Sequence, residues 1–280
     1  MNEDKKVLLI KCPDEKGIIH KVSGVLLSGG CNIVRNGEFV DTDKNIFYMR
    51  TEFEANGLDV ENVLSELKEI LPKEAEISIP SSRKKRIVVL ATKEHHCLSE
   101  LLSRNYFEEF NFEIIAVIAN HENLEDFTNR FGVKFKYISH EGIKKQQQEA
   151  KILEILEQEE PDFIVLAKYM RILSPNFVSK YKSKIINIHH SFLPAFIGAN
   201  PYRKAYERGV KLIGATAHFV TSELDQGPII LQDVAKIDHA DNIFSMKKIS
   251  QDIEKLVLIK AVRLACDDKV IINGNKTIIF

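Results

Sequence analysis

The sequence predicts an α/β protein with two domains, a small βαββαβ sandwich followed by a Rossmann-like domain with a mostly parallel sheet. The chain has 280 residues, more than one typical domain, and 44% of them are hydrophobic, which is ample for two buried cores. The pattern of apolar segments changes near residue 87, and a polar, basic run separates the two patterns. We therefore expect domains at 1–80 and 87–280, joined by a linker at 81–86.

The first domain alternates short apolar runs in the order strand, helix, strand, strand, helix, strand. Glycines follow the first helix, and glycine accepts the left-handed conformation that is common at helix ends. This order is typical of a small α+β sandwich, ferredoxin-like in its connections. The predicted strands are 7–11, 32–40, 47–53 and 76–79, and the predicted helices are 18–27 and 60–71.

The linker contains four consecutive basic residues, 83–86. A basic cluster suits contact with nucleic acid, but a solvated junction between two packed domains is the preferred interpretation.

The second domain alternates buried apolar strands with helices. Such connections require right-handed crossovers and a mostly parallel sheet, with ligands at the carboxyl ends of the strands. The predicted strands are 87–91, 112–119, 135–138, 163–167, 185–188, 213–218 and 229–234. The predicted helices are 98–107, 124–131, 143–158, 175–181, 202–208 and 241–266, the last of which closes the fold.

Charge and composition exclude several classes of function. The 39 basic and 40 acidic residues leave a formal charge of −1, so nucleic acid and anionic membranes are disfavoured partners. No apolar run reaches the length of a membrane span and the N-terminus does not resemble a signal peptide, which predicts a cytoplasmic protein. The four cysteines form no Cys-x-x-Cys pair, which favours reduced core thiols over disulfides or zinc.

The candidate catalytic residues are Asn187, His189 and Asp225. Asn187 and His189 stand two positions apart on a predicted strand, so period-two alternation places both side chains on one face. Asp225 lies in a loop bounded by glycine and proline. Asparagine can donate to a developing oxyanion, histidine can carry a proton, and aspartate can orient that histidine or act as a base. This combination predicts acyl transfer without a side-chain nucleophile.

The turn after the first strand of this domain, 92–97, contains no glycine. A dinucleotide or phosphate site would need a glycine-rich loop there, so nucleotide binding is excluded. His95 and His96 in this turn suggest a metal ligand pair, but adjacent side chains diverge and no partner pair has zinc-site spacing. We expect no metal site.

The three candidate catalytic residues belong to a longer pattern, which includes segments 192–196, 214–218 and 225–230. Together these resemble the signature of the folate-dependent formyltransferase superfamily, in which Asn, His and Asp surround the formyl group of 10-formyltetrahydrofolate. The segment 92–97, which contains no glycine, resembles the corresponding segment in the branch of this superfamily that transfers the formyl group to water. The resemblance implies hydrolysis of this folate to tetrahydrofolate and formate, which supplies formate and balances one-carbon pools for purine synthesis. It implies no metal or redox cofactor, with folate and water as the partners.

The resemblance also suggests substrate contacts. The segment that follows the apolar strand 163–167 corresponds to part of the pterin pocket. The candidate substrate-binding residues are Met170, Arg171, Ile172 and Leu173 of this segment, together with His190 and Gly227. An apolar slot with strand-end backbone suits a flat heterocycle. If the strand continues, His190 faces away from His189 and positions water. His95 and His96 are candidates for a water or acceptor site.

Segments 14–18 and 30–33 resemble an ACT domain. In that family these two places line an amino-acid effector site, often between copies. Gly17 and Asn32 are therefore candidate effector-binding residues, and a homo-oligomer is expected. The alternative is that both are only turn residues in a structural domain.

Two other functions stay open from the sequence. One is formyl transfer to a small amine. The other is an amino-acid-sensing regulator without catalysis, against which the presence of all three candidate catalytic residues argues.

Overall fold

The computed structural model describes residues 5–55, 57, 59–194 and 201–280, with Pro201 as backbone only. Two compact units make up the chain: one ends at Arg83 and includes Phe280, and the other is Lys84–Ile279. The division falls inside the predicted linker 81–86, whose limits stay a prediction. Ala195 and Phe196, part of the resembling segment, lie outside the described residues, as do the first four residues of the predicted first domain.

The first unit has the predicted βαββαβ order. Its four strands form one antiparallel sheet in the order β2-β3-β1-β4. The elements are β1 (Lys5–Pro13), α1 (Ile18–Ser28), β2 (Asn32–Asp41), β3 (Ile46–Glu54), α2 (Val60–Ile70) and β4 (Glu76–Ser78).

Alternation along the strands builds the core of the first unit. Leu8 and Ile10 of β1 pack with Val22 and Leu26 of α1. Asp59 caps the N-terminus of helix α2, and its carboxylate accepts from the backbone N–H groups of Glu61 and Asn62.

The second unit contains a seven-stranded sheet in the order β11-β10-β9-β8-β5-β6-β7. Strands β9, β8, β5, β6 and β7 run parallel, whereas β10 and β11 are antiparallel additions at one edge. The predicted mostly parallel sheet is confirmed. The strands are β5 (Lys85–Ala91), β6 (Phe112–Ala119), β7 (Lys134–Tyr137), β8 (Phe163–Ala167), β9 (Ile185–His189), β10 (Leu212–Phe219) and β11 (Ile229–Lys236).

Helices cover both faces of this sheet, so its central strands are apolar on both sides. In β5, Val89 packs in a cluster with α3 and α8, while Val88 and Leu90 pack in a second cluster with α5 and α6. The helices are α3 (His96–Tyr106), α4 (Glu125–Asn129), α5 (Lys145–Glu159), α6 (Pro175–Lys180), α7 (Pro201–Arg208) and α8 (Ile243–Cys266). None of the described helices is long and apolar enough to cross a bilayer.

The prediction that the helix ending at Cys266 closes the fold was wrong. A two-stranded hairpin follows it, β12 (Val270–Asn273) and β13 (Lys276–Ile279). β-Branched residues flank a two-residue turn that contains Gly274 at φ 62°, and this is a recognised hairpin signal. All four cysteines are free and buried, as predicted.

Candidate active site

The candidate catalytic residues converge at the carboxyl end of β9. Asn187 and His189 occupy alternate positions on this five-residue strand, which pairs with β8 on one side and with β10 on the other. His189 is the last residue of the strand and is buried. The strand ladder therefore fixes the backbone of both polar residues, and both side chains line one cavity.

Asp225 reaches this strand end from the loop between β10 and β11. Its backbone lies in the left-handed region at φ 57°, which is uncommon for a residue other than glycine. Its Oδ2 lies 3.3 Å from Nδ1 of His189. The structure thus brings together Asn187, His189 and Asp225, whose candidate roles rested on sequence alone.

His218 on β10 binds Asn187 beside the same carboxylate. Its Nδ1 lies 2.9 Å from the carbonyl oxygen of Phe219, and its Nε2 lies 3.2 Å from Nδ2 of Asn187. Because a carbonyl can only accept, Nδ1 donates, and Nε2 of the neutral ring accepts one amide hydrogen of Asn187. The same Nε2 is 3.6 Å from Oδ1 of Asp225. One amide hydrogen of Asn187 is left for a ligand.

The electrostatics of the site favour an ionised aspartate. The hydrogen bond with His189 holds the pKa of the Asp225 carboxyl well below its usual range, although partial burial opposes this effect. The carboxylate accepts from Nδ1 of His189, and Nε2 of that ring is buried without a hydrogen-bond partner among the described residues. A buried, unpartnered ring nitrogen is available to a substrate.

A cavity of about 270 Å³ opens beside these groups. Asn187, His189, His218 and Asp225 form its polar wall. The predicted substrate segment from Met170 to Leu173 also lines it, together with Leu166, Lys168, Tyr169, Ile188, His190, Val220, Thr221, Ser222 and Leu224.

The segment from Met170 to Leu173 offers the apolar slot expected for a heterocycle. Met170 and Ile172 are 63% and 59% exposed, whereas Leu173 is buried. The backbone N–H of Met170 donates to Thr92 Oγ1 at 3.1 Å, which ties this segment to the turn after β5. Exposed apolar side chains beside a polar strand end suit a flat ligand with hydrogen-bonding edges.

His190 does not face away from His189. Strand β9 ends at His189, so the alternation stops there, and the two rings stack with centroids 5.0 Å apart. Tyr202 lies on the ring of His190 at 5.8 Å. Burial, with the charges of Lys168 and His189, lowers the pKa of His190 to about 4. His190 is therefore a neutral ring in the cavity wall at neutral pH.

Gly227, a predicted substrate contact, packs against the end of β10. It is not among the residues that line the cavity. A Cβ added at Gly227 would lie 1.7 Å from the carbonyl oxygen of Phe219. The glycine therefore lets the Asp225 loop approach β10 closely, and its contact with substrate stays a prediction.

The two histidines of the turn after β5 have different environments. His95 is exposed, whereas His96, the first residue of α3, is buried with its Nε2 2.9 Å from Oε2 of Glu254. Neither belongs to the cavity lining. A role for them at a water or acceptor site stays a prediction.

Sequence reasoning missed the buried cluster around Glu254 of α8. Lys168 Nζ lies 3.0 Å from Oε2, and Tyr202 donates to Oε1 at 2.9 Å. Ligand atoms of His96, Cys97 and Glu254 lie within 4.8 Å of one another, although a cation there would face the ammonium of Lys168. In the sequence Glu254 looks like one more charged residue of a long helix, and only the packing of α8 on the sheet reveals its burial.

The candidate effector residues of the first unit are both exposed. Gly17 precedes α1 with φ 91°, a conformation that favours glycine. Asn32 begins β2 and donates through Nδ2 to Glu54 at 3.3 Å. Their effector role stays a prediction.

Comparison with known proteins gives one consistent result. The formyl transferase family matches residues 85–262, and the ACT domain family matches residues 6–72. The formyltetrahydrofolate deformylase of Haemophilus influenzae is 47% identical over 276 residues, which cover 99% of each chain. That of Bacillus subtilis is 44% identical over 285 residues, covering 100% of this chain and 95% of the relative. A crystal structure of a formyltetrahydrofolate deformylase from Pseudomonas syringae pv. tomato superposes with a TM-score of 0.95 at 37% identity, covering 100% and 96% of the two chains.

Proposed function

The chain belongs to the formyltetrahydrofolate deformylases, and we propose that it hydrolyses 10-formyltetrahydrofolate to tetrahydrofolate and formate at the cavity beside β9. It is a hydrolase acting on the C–N bond of a formamide. The observation that carries the assignment to this cavity is the convergence of Asn187, His189 and Asp225 on one wall.

The formyl oxygen is bound by two donors in the proposed mechanism. As water adds to the formyl carbon, negative charge grows on this oxygen. In this proposal the free amide hydrogen of Asn187 and Nε2–H of protonated His189 stabilise that charge, and their contacts with His218 and Asp225 support these roles. Asp225 holds the imidazole by accepting from Nδ1. Loss of one such donor typically raises the barrier by about 3 to 4 kcal/mol.

The attacking water must lose a proton and N10 must gain one. Asp225 is ionised, and each of its oxygens keeps a lone pair beyond its histidine contact. Its low pKa makes it a weak base toward water itself, but the water becomes acidic once its oxygen bonds to carbon. The proton then passes to N10 as the C–N10 bond breaks, so that formate and tetrahydrofolate leave.

The pterin is proposed to bind against Met170 to Leu173, with N10 directed to Asp225. Apolar side chains in this segment pack on the faces of the ring, and strand-end backbone groups bind its edge. His190, neutral and stacked on His189, is placed to position water.

Three further features complete the proposal. The enzyme supplies formate and balances one-carbon folates for purine synthesis. It is a cytoplasmic homo-oligomer. The first unit, which matches the ACT domain family, binds an amino-acid effector through Gly17 and Asn32.

Hydrolysis is tested by incubating the purified protein with 10-formyltetrahydrofolate in ¹⁸O-labelled water without an acceptor. We expect formate and tetrahydrofolate in equal amounts, with one labelled oxygen in each formate. Conversion that requires an added amine would contradict hydrolysis.

A further inference from the structure

A buried ion pair lies in the wall of the cavity, and the mechanism above makes no use of it. Lys168, the residue after β8, lines the cavity and is paired with Glu254 at 3.0 Å. Glu254 is fully buried, and Lys168 is only 7% exposed. Removing two charges from water costs so much free energy that such pairs contribute little to folding. The small contribution of the pair to folding favours a functional role for it.

The backbone of Lys168 supports a functional role. Its φ of 59° lies in the left-handed region, where a side chain other than glycine's is strained. A glycine would fit this conformation better but would leave the cavity wall without a charge. Strain of this kind is held by the surrounding structure and is found most often at functional sites.

The Glu254 carboxylate is fixed on both oxygens. Oε2 lies 2.9 Å from Nε2 of His96 and 3.0 Å from Lys168, while Oε1 accepts from Tyr202 and Ser250 at 2.9 Å each. Burial alone would raise the pKa of Glu254, but the bond with His96 and the charge of Lys168 lower it to about 2. Glu254 is thus a permanent, immobile anion that holds the ammonium in place.

The ammonium of Lys168 has hydrogens to spare. One is directed to Glu254, and the other two have no hydrogen-bond partner among the described residues. Its positive charge helps to lower the pKa of His190, and the ring of His190 stacks on that of His189. Lys168 is therefore in the same cavity wall as the proposed catalytic histidine.

We propose that Lys168, held by Glu254, selects water over amines as the nucleophile, an inference that rests on the hydrolysis proposed above. Water has two lone pairs: when one attacks the formyl carbon, the other accepts a hydrogen bond from the ammonium. A primary amine has one lone pair, so an attacking amine turns an N–H group toward the ammonium. Donor then faces donor, and a buried donor without an acceptor is costly.

The two competing reactions have distinct products. With water, an O–C bond forms, the C–N10 bond breaks, a water proton goes to N10, and formate results. With an amine, an N–C bond forms, the C–N10 bond breaks, an amine proton goes to N10, and a formamide results. Both reactions release tetrahydrofolate, so the ratio of formamide to formate measures the choice of nucleophile separately from folate binding.

The test uses 2,2,2-trifluoroethylamine, a small amine that is uncharged at neutral pH and has no oxygen or second nitrogen to accept a hydrogen bond, with the full-length enzyme at saturating 10-formyltetrahydrofolate. Wild type should release formate with little N-trifluoroethylformamide. Lys168→Met keeps the side-chain length but removes the donors, so the ratio of N-trifluoroethylformamide to formate should rise about tenfold or more. Lys247→Met is the matched control, because Lys247 is paired with Glu94 at 3.1 Å but does not line the cavity. Its ratio should equal that of wild type.

The double variant Lys168→Met/Glu254→Gln removes both charges of the pair and should show the same rise if the single variant folds poorly. An unchanged ratio in the Lys168 variants would overturn the proposal, as would loss of both products from folded enzyme or an equal rise in Lys247→Met. Ready formylation of trifluoroethylamine by wild type would also overturn it. Failure of wild type to release formate would instead contradict the proposed hydrolysis.

Discussion

At the scale of single residues, the site depends on two histidines that each contact one of the other proposed catalytic side chains. Asp225 meets His189 through one oxygen and His218 through the other, at 3.3 and 3.6 Å. His218 in turn accepts from Asn187, which leaves one amide hydrogen for the substrate. Asp225 therefore orients His189 and His218 orients Asn187, so both proposed donors to the formyl oxygen are held in place.

Two neighbouring histidines should differ in their effect on turnover. We expect His189→Ala to lower kcat by about 10²- to 10⁴-fold, because the ring donates to the oxyanion. His190→Ala should cost less, since His190 is neutral and is proposed to position water. Steady-state rates of formate release for the two variants give the comparison. Equal losses would show that the primary imidazole has been misassigned.

His190 should also leave a signature in the pH dependence of stability. Its pKa is about 4 in the folded chain, against 6.5 for an unperturbed ring. Between these values the unfolded chain binds a proton that the folded chain does not, so the free energy of unfolding falls as the pH drops from 6.5 to 4. The contribution is at most about 1.4 kcal/mol per pH unit.

Urea unfolding of wild type and His190→Gln across this range measures that contribution. The variant should lose less stability than wild type as the pH falls, and the two should run parallel above pH 6.5. Identical slopes in acid would contradict a neutral, buried His190.

At the scale of elements, the loop between β10 and β11 sets the position of Asp225. The register of this strand pair shifts between Ala217 and His218, and the loop then returns so closely that Gly227 packs on the carbonyl of Phe219. The bulge and the close approach together place His218 and Asp225 on the same wall of the cavity.

Gly227→Ala should displace this loop and lower kcat severely, since its Cβ would lie 1.7 Å from a backbone oxygen. Gly24→Ala is a matched control, because it lies in α1 with no atom within 4 Å of the added Cβ. The control should fold and turn over normally, and replacing a helical glycine by alanine should stabilise it slightly. Formate release and thermal unfolding are measured for both variants and compared with those of wild type. Wild-type kcat in Gly227→Ala would show that the loop can move without harm.

The sequence predicted the elements that follow a simple period and missed features that depend on packing. Asn187 and His189 were found because alternation on a strand is local. His218 was not singled out as a site residue, since it stands in an apolar strand where its neighbours indicate core. Glu254 and Lys168 are 86 positions apart, so only the fold brings them to 3.0 Å. His190 was misplaced because the end of β9 cannot be located to one residue from a pattern.

At the scale of the whole molecule, the chain joins a catalytic unit to a unit that matches the ACT domain family. An effector bound to the first unit can change turnover only if it binds two states of the enzyme with different affinity, commonly about 1 to 3 kcal/mol of coupling. Glycine and methionine are the first ligands to try, because both are metabolically tied to one-carbon folates.

We expect one of these amino acids to shift formate release from the wild-type enzyme, and Asn32→Ala to abolish that response. Asn36→Ala is the control, because Asn36 lies on the same strand and also binds a glutamate, at 2.9 Å. Titration of all three proteins with each amino acid tests this. If neither amino acid changed formate release from wild type, both would be excluded as effectors. If Asn32→Ala responded like wild type, the effector would bind at another site.

The central claim is that hydrolysis occurs at the convergence of Asn187, His189 and Asp225, and Asp225→Asn tests it most directly. The amide keeps the shape of the side chain but carries no negative charge and cannot take a proton. We predict that formate release nearly disappears while folate binding, measured by calorimetry with a non-hydrolysable analogue, stays close to that of wild type. Wild-type turnover in Asp225→Asn would contradict the account, because Asp225 would then be only a structural residue of its loop.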